Sequence, residues 1–339
     1  MYTEFYGLVG EPFLLTPDHR FYFESGVHSQ AMAHLMYGLK RGEGFIVITG
    51  EVGAGKTTVI RRLCASVDAG EVIVAHIVTT LLAGDELLRM VCAAFGISDV
   101  PREKDAVLRR LQSFFEQVGR AGHKALLVVD EAQNMSAAAL EELRMLSNFQ
   151  VGDTAPCQIF LVGQPQFRNI LAHPDLEQLR QRVIASYHLG ALSPEDTGLY
   201  VLHRLKQVGW ANDPVLQDEA LKAIFHHTGG IPRRINTLCS RLLLLGFLDN
   251  LHVFTGADVA RVASDLKQEC GATSLVASEH LPPWRASDHK DTQFAARMEN
   301  VERRLESQEN SIRRIALGLG HTAMGLADIV IGSDRSGAE

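Results

Sequence analysis

The sequence predicts an α/β fold in which a parallel β-sheet lies between two layers of helices. Apolar, β-branched runs alternate with helical stretches along the first 190 residues or so, and this alternation is typical of parallel strands joined by helical crossovers. A glycine-rich loop stands between the first of these strands and the helix after it. From about residue 192 to about residue 268 the pattern is helical throughout, which predicts a small all-α second domain.

The individual elements follow from the spacing of apolar residues. The predicted strands lie at 45–49, 72–78, 125–130, 158–162 and 186–189. The predicted helices lie at 28–40, 57–67, 84–95, 104–119, 136–148, 194–208, 216–227, 232–248 and 256–268. Ser193 and Pro194 form a typical helix start, with a serine cap and a proline in the first turn. The predicted domains are residues 1–191 (α/β), 192–268 (helical), 269–290 (flexible linker) and 291–331 (helical tail).

Composition and charge narrow the class of protein. The chain has 339 residues, 46% of them hydrophobic, and a formal net charge of -7, which argues against a surface devoted to nucleic acid. Its five scattered cysteines are expected to be reduced thiols. No apolar stretch reaches the ~18 residues that a membrane-spanning helix needs. We therefore expect a cytoplasmic protein, either free or peripheral at the inner membrane.

The glycine-rich loop, Gly50 to Thr57, fits the phosphate-loop pattern at every fixed position. Its backbone N–H groups and the start of the next helix can surround a phosphate, Lys56 can reach the β- and γ-phosphates, and the Thr57 hydroxyl can ligate Mg²⁺. A chance glycine-rich turn is the alternative. The motif predicts a P-loop NTPase sandwich, and the candidate nucleotide-binding residues are Gly50, Gly53, Ala54, Gly55, Lys56, Thr57 and Thr58.

The third predicted strand ends in two acids, Asp130 and Glu131. Alone they would indicate a helix cap and a first-turn acid. In a chain that also contains a phosphate loop they are typical of an ATPase site, in which Asp130 holds the Mg²⁺ shell and Glu131 polarises the attacking water. The additional strand at 72–78, between the two motifs, indicates the ATPase branch that uses a catalytic glutamate.

The fourth predicted strand is followed by Gln164. A polar side chain in this place points at the γ-phosphate in many such sheets and orients the water, so we expect a catalytic role for Gln164. The alternative is a plain turn residue ahead of Pro165.

Two arginines, Arg180 and Arg182, stand just before the fifth predicted strand. In ring-forming ATPases an arginine in this place reaches the γ-phosphate bound by the neighbouring subunit. Arg182 is preferred over Arg180 for this role. The alternative is that both are solvated or paired with Asp175 and Glu177.

Arg233 opens a helix of the second domain, after a pair of glycines. A cation at a helix N-terminus is unfavourable with the helix dipole. We therefore expect Arg233 to contact the phosphates of the nucleotide from the helical domain.

The expected cofactors are ATP and Mg²⁺. Histidine and cysteine form no cluster with metal-binding spacing, so the expected metal is the Mg²⁺ that ATP brings. Contacts to adenine are expected from the segment around Phe13 to Pro17.

The predicted tail carries apolar residues at alternating spacings of three and four, interrupted by one glutamine. This is a heptad pattern over about three repeats. It indicates either a self-associating coiled coil or a single amphipathic helix docked on its own domain. The pattern consists of Phe294, Met298, Val301, Leu305, Gln308, Ile312 and Ile315.

Taken together, the motifs resemble the AAA+ ATPases, and more narrowly the general secretion pathway protein A (ExeA-type) family. The likeness is carried by residues 6–7, 11–13, 16–18, 50–58, 129–133, 161–165, 179–182 and 229–236. It implies ATP binding and hydrolysis, a helical lid, and a homo-oligomer, with a ring expected, that places an arginine in trans.

The chain departs from the family pattern after the ATPase part. Members that serve secretin assembly carry a membrane span and a periplasmic peptidoglycan-binding domain there, whereas this sequence has a linker and a heptad helix. In this respect it is similar to the soluble ATPases found with exosortase and exopolysaccharide-export systems.

The resemblance implies an ATPase that drives or regulates assembly of a cell-envelope export system through partner proteins. One alternative is a DNA-dependent ATPase similar to transposition regulators, which the acidic balance and the lack of a basic tail argue against. The other is a nucleotide-gated scaffold that barely hydrolyses ATP, which Glu131 argues against.

Overall fold

The computed structural model describes residues 1–16, 21–67, 70–78, 84–150 and 155–271. These described residues all belong to one compact unit. The predicted linker begins inside the last described helix, which continues to Gly271. The rest of the linker and the whole heptad tail lie outside the described residues, so the choice between coiled coil and docked helix stays open.

A five-stranded parallel sheet forms the centre of the fold, in the order β2-β3-β4-β1-β5. Its strands are β1 Phe45–Gly50, β2 Val72–Val78, β3 Lys124–Asp130, β4 Cys157–Gly163 and β5 Val183–Leu189. The three central strands are buried except at Lys124. Burial on both faces explains their continuous apolar runs.

Helices cover both faces of the sheet. Before the fifth strand the chain forms α1 Tyr2–Phe5, α2 Gly26–Arg41, α3 Lys56–Ser66, α4 Gly84–Ala94, α5 Lys104–Arg120, α6 Ala137–Leu146, α7 Gln166–Leu171 and α8 Glu177–Arg180. Side chains alternate along β1, so Ile46 and Ile48 pack against α2 and α3, while Phe45 and Val47 pack against the helices of the other layer. The predicted three-layer sandwich is confirmed.

Four helices follow the sheet, namely α9 Pro194–Lys206, α10 Asp218–Thr228, α11 Pro232–Leu248 and α12 Gly256–Gly271. Ser193 caps α9 by accepting a hydrogen bond from the Asp196 backbone, as its sequence predicts. The structure adds two short parallel strands, β6 Val215–Leu216 and β7 Val253–Phe254. Helical spacing cannot reveal strands of two residues, since period-2 alternation needs at least four.

The N-terminal segment packs with these helices rather than with the sheet. Tyr6, Leu8, Phe13 and Phe21 are buried in one apolar cluster with residues of α9, α10, α11 and α12. The segment thus connects the α/β part to the helical part. The predicted domain boundary between residues 191 and 192 stays a prediction.

Among the helices of the described segments, none has the length and apolarity needed to cross a membrane.

Candidate active site

The candidate site lies where the carboxyl ends of β1, β3 and β4 meet. The phosphate loop continues β1, Glu131 follows β3, and Gln164 follows β4. Since the strands are parallel and adjacent, three segments far apart in sequence come together at one edge.

The phosphate loop has a conformation that glycine permits. Gly53 and Gly55 have φ angles of 84° and 101°, in the left-handed region that favours glycine. Ala54 is buried beneath the loop, packed in the core on one side of the sheet. The Lys56 ammonium is also buried, and donates to the carbonyl oxygens of Gly50 at 2.7 Å and Glu51 at 3.0 Å.

Lys56 carries the charge that a phosphate would meet. Burial lowers the pKa of Lys56 from its ordinary value, and the negative charges of Glu131, Asp130 and Glu51 oppose that shift. These carboxylates favour the protonated lysine.

Thr57 and Asp130 form the second part of the site. The Thr57 hydroxyl donates to Oδ2 of Asp130 at 3.0 Å, and Oδ1 of Asp130 accepts the Glu131 backbone N–H at 2.9 Å. A hydroxyl and a carboxylate side by side are the hard oxygen donors that Mg²⁺ takes, together with phosphate oxygens. The residues present therefore fit this ion.

Glu131 is held by two glutamines. Its Oε2 accepts from Nε2 of Gln133 at 2.5 Å and from Nε2 of Gln164 at 3.3 Å. Its backbone is left-handed, with φ 55° and ψ 39°, which is uncommon outside glycine. The structure thus brings together Glu131 and Gln164, as expected, and adds Gln133.

A cavity of about 690 Å³ opens above the phosphate loop. Gly53, Gly55, Lys56, Thr57 and Thr58 line its floor, and Glu131 stands at one side. Five basic side chains reach its surface, which suits a polyanionic ligand such as a nucleotide phosphate chain. They are Lys56, Arg61, Arg62, Arg204 and Arg233.

The N-terminal segment forms one wall of the cavity. Leu14, Leu15 and Thr16 line it, as does the stretch 21–23. Phe13 lies in the core behind this wall, so of the segment expected to contact adenine the stretch 14–16 reaches the cavity. Pro17 lies outside the described residues.

A buried polar group holds this wall to the helical part. Arg204 of α9 donates to the carbonyl oxygens of Pro12 at 2.5 Å and Leu14 at 3.2 Å, and to the Tyr200 hydroxyl at 2.8 Å. That hydroxyl in turn donates to Asn236 of α11 at 2.9 Å. Tyr200, Arg204 and Asn236 all line the cavity and are all buried.

His28 packs against the phosphate loop and also lines the cavity. Its Nδ1 lies 2.6 Å from Oγ of Ser25, and its Nε2 lies 2.7 Å from where a Cβ on Gly55 would stand. Burial lowers the pKa of His28 below its ordinary value, against a backbone hydrogen bond with Ala54 and the charge of Asp196. His28 therefore lies against Gly55 of the phosphate loop, where burial favours its neutral form.

Arg233 reaches the site from the helical part. It stands in the first turn of α11, is exposed, and lines the cavity opposite the loop. In the described part of the chain its guanidinium has no hydrogen-bond or ion-pair partner. It is thus placed to meet an anion in the cavity.

Arg182 lies away from the cavity of its own chain. It stands just before β5, at the amino edge of the sheet, where its carbonyl oxygen accepts the Phe45 N–H at 2.9 Å. The six-residue strand β1 separates that edge from the phosphate loop by about 17 Å. The exposed Arg182 guanidinium donates to the carbonyl and hydroxyl oxygens of Ser147, both at 3.3 Å.

Arg180 is bound more extensively within the chain. It donates to the carbonyl oxygens of Leu171 and Ala172 and pairs with Glu177 at 3.1 Å. The alternative in which the arginine is paired within its own chain therefore applies to Arg180 more than to Arg182.

Sequence reasoning missed several residues of the site. Gln133 could have been found as a polar side chain two positions after Glu131. Arg204 could have been found as a cation one helical turn after Tyr200, on a buried helix face. His28 gave no signal, because its contact with the loop depends on how α2 packs.

Comparison with known proteins identifies the family. A family model described as an AAA domain matches residues 39–171. General secretion pathway protein A of Aeromonas hydrophila is 38% identical over 270 residues, which is 78% of this chain and 48% of that protein. The chain belongs to the AAA+ ATPases of the ExeA type. This AAA+ chain spans about half the length of the curated relative it matches.

Solved structures agree on the fold of this AAA+ chain. Cdc6p from Pyrobaculum aerophilum is 17% identical with a TM-score of 0.62, over 76% of this chain and 71% of that one. The ORC2 protein of Aeropyrum pernix, solved as ADPNP–ADP complexes, is 19% identical with a TM-score of 0.54, over 73% and 71%. At these identities the likeness shows the AAA+ fold alone.

Proposed function

We propose that this AAA+ chain binds and hydrolyses ATP, and that hydrolysis drives or regulates the assembly of a cell-envelope export system through partner proteins. The observation that carries the proposal is the grouping of Thr57, Asp130 and Glu131, of which Thr57 and Glu131 line the phosphate-loop cavity. Binding alone would need the loop and Lys56; a carboxylate beside the cavity is needed for hydrolysis.

ATP would lie with its phosphates on the loop. The backbone N–H groups after Gly53 and the ammonium of Lys56 would stabilise the phosphate charges, exchanging the carbonyl partners of Lys56 for phosphate oxygens. Thr57 and Asp130 would hold Mg²⁺, which when bound neutralises charge on the β- and γ-phosphates.

Glu131 would accept a proton from the attacking water. Gln164, next to it, would orient that water and contact the γ-phosphate. Arg233 would stabilise the charge on the phosphates from the helical part of the same chain, because its guanidinium lines the cavity.

Arg182 would act on the nucleotide of a neighbouring copy in a homo-oligomer. Its place at the amino edge of the sheet supports this role, because there it is too far from the cavity of its own chain. An arginine supplied in trans accelerates phosphoryl transfer in other nucleotide hydrolases by about 10³–10⁵-fold.

The export role is supported by the 38% identity to a general secretion pathway protein over the ATPase part. Our narrower expectation is a soluble ATPase of the kind found with exosortase and exopolysaccharide-export systems, located in the cytoplasm, free or peripheral at the inner membrane. A pull-down from cells expressing the tagged Glu131→Gln variant with ATP would test it. Recovery of envelope-export proteins supports the role, and recovery of DNA-transaction proteins alone contradicts it.

Steady-state ATP hydrolysis at rising protein concentration, with and without double-stranded DNA, tests the catalytic proposal. We expect the specific activity to rise with protein concentration and to be unchanged by DNA. Activity that requires DNA and falls with salt would instead indicate the transposition-type regulator. The Glu131→Gln variant should bind ATP with unchanged affinity and lose hydrolysis, and near-normal turnover would remove Glu131 from its role.

Mixing of variants tests the arginine in trans. Arg182→Ala alone should bind ATP and lose hydrolysis, and adding Glu131→Gln subunits, which carry an intact Arg182, should restore part of it. Arg180→Ala is the matched control and should not be rescued in this way. Absence of rescue for Arg182→Ala would show that this arginine does not act across subunits.

A further inference from the structure

We propose that Gln133 is a positioning residue that fixes the catalytic carboxylate of Glu131, and that it holds this carboxylate when Gln164 turns to the nucleotide. The inference rests on the proposed hydrolysis at this site. It starts from the contact in which Nε2 of Gln133 donates to Oε2 of Glu131 at 2.5 Å.

Both ends of the Gln133 amide are engaged. Its Oε1 accepts the backbone N–H of Gln164 at 3.0 Å, while its Nε2 faces Glu131. A backbone N–H can only donate, so it must face the amide oxygen, and this leaves the amide nitrogen for the carboxylate. The hydrogen-bond pattern therefore determines the orientation of the Gln133 amide.

Gln133 and Gln164 hold Glu131 differently. The Gln164 side chain donates to the same oxygen at 3.3 Å, and its Oε1 accepts a weak 3.5 Å contact from the Gln166 side chain. Among the described residues, no backbone group holds the Gln164 amide. Gln133 is anchored on the backbone at the end of β4. When Gln164 leaves Glu131 for a γ-phosphate, Gln133 keeps its contact and retains the carboxylate in place.

The Glu131 side chain is flexible, so a hydrogen-bond partner is needed to fix its carboxylate. A glutamate side chain has three rotatable bonds, and fixing them costs conformational entropy. Displacing a catalytic group by about 1 Å lowers a rate by roughly 10²-fold. An amide donor tied to a neighbouring strand limits these rotations.

The end of β4 leaves room for this arrangement. A Cβ on Gly163 would lie 3.1 Å from Oε1 of Gln133 and 3.0 Å from Cβ of Phe167. A larger residue there would push on the Gln133 amide. Gly163→Ala is thus a second variant that disturbs the same contact without altering Gln133 itself.

The test compares Gln133→Ala and Gln133→Glu with the wild type in steady-state ATP hydrolysis. Gln133→Glu is isosteric and keeps the acceptor for the Gln164 N–H, but it replaces the donor to Glu131 by an oxygen. We expect kcat to fall at least about tenfold in both variants. KM and the affinity for a non-hydrolysable ATP analogue should stay within about twofold, since Gln133 does not line the cavity.

Gln112→Ala is the control, because it removes a comparable Gln–Glu hydrogen bond, that to Glu116 at 3.2 Å on the exposed face of α5. Its kcat should match the wild type. Unchanged or raised kcat in Gln133→Glu would overturn the proposal, as would a loss of analogue affinity or of thermal stability as large as the loss of kcat. If Gln133→Ala does not fold, Gln133→Glu and Gly163→Ala decide by the same criteria.

The wild type in the same assay separates the two proposals. A wild-type chain that binds the analogue but shows no hydrolysis, even in a single turnover, overturns the proposed function and with it the role of Gln133. A wild-type chain that hydrolyses ATP while the Gln133 variants match it overturns the role of Gln133 alone.

Discussion

The backbone N–H of Arg233 donates to the carbonyl oxygen of Gly53 at 3.2 Å. This bond joins the first turn of α11 to the phosphate loop and uses one of the N–H groups that a helix start leaves without an internal partner. A Cβ on Gly53 would lie 2.3 Å from the Cβ of Arg233. The phosphate loop and the helical part are therefore in direct contact, and the absence of a side chain at Gly53 permits it.

Gly53→Ala should weaken both the loop conformation and this contact. Alanine at φ 84° is strained by about 1 kcal/mol or more, and its Cβ would collide with Arg233. We expect at least a tenfold loss of affinity for an ATP analogue, on the order of 1.4 kcal/mol, by calorimetry. Gly96→Ala is the control, with φ 72° and open space around the new Cβ. The Gly96→Ala variant should lose stability without losing affinity for the ATP analogue. Equal analogue affinity in Gly53→Ala and Gly96→Ala would contradict a role in nucleotide binding for the contact between Gly53 and Arg233.

Lys56→Ala should reduce nucleotide affinity by about 100-fold or more, because it removes the ammonium group that would bind the phosphate oxygens in place of its loop carbonyl partners. Isothermal titration with a non-hydrolysable ATP analogue measures this. Lys222→Ala, on the exposed face of α10, removes the same charge elsewhere and should leave the affinity unchanged. Wild-type affinity in Lys56→Ala would refute the assignment of the phosphate loop.

Arg204→Met should lower the free energy of unfolding by about 2–4 kcal/mol, because it leaves the carbonyl oxygens of buried Pro12 and of Leu14 without this donor. Urea denaturation gives the loss. Limited proteolysis should cut the N-terminal segment earlier than in the wild type. Arg261→Ala breaks an exposed pair with Asp249 at 2.8 Å and should cost less than about 1 kcal/mol. Similar losses in both variants would show that Arg204 does not hold the segment.

His28 predicts a dependence of stability on pH. Because burial lowers the pKa of His28 below its ordinary value of 6.5, the unfolded chain binds a proton at this residue more readily than the folded chain. The contribution of neutral His28 is complete above pH 6.5 and is lost as pH falls below 6.5 toward the folded pKa. In urea unfolding, the wild type should lose more stability between pH 7.5 and pH 5.5 than His28→Gln. Identical losses would exclude His28 as a source of the dependence.

The sequence predicted most of the local structure of this chain. The strand before Gly50, the turn and the helix after it depend on neighbouring residues: β-branched apolar runs, glycines that accept positive φ, and a helical repeat. The cap at Ser193 is equally local. The pairing of Asp130 with Thr57 was also within reach, because both motifs end strands of one parallel sheet and such ends meet at one edge.

Only the tertiary structure decided which distant groups share the site. That Gln133 spans Glu131 and the backbone of Gln164, and that Arg204 is buried against the N-terminal segment, follows from the strand order and from helix packing. Periodicity shows which face of an element is buried but not which element covers it. The sequence by itself thus determined the elements, the phosphate loop and the family resemblance, while long-range packing decided how the carboxylate of Glu131 is held and which residues enclose the cavity.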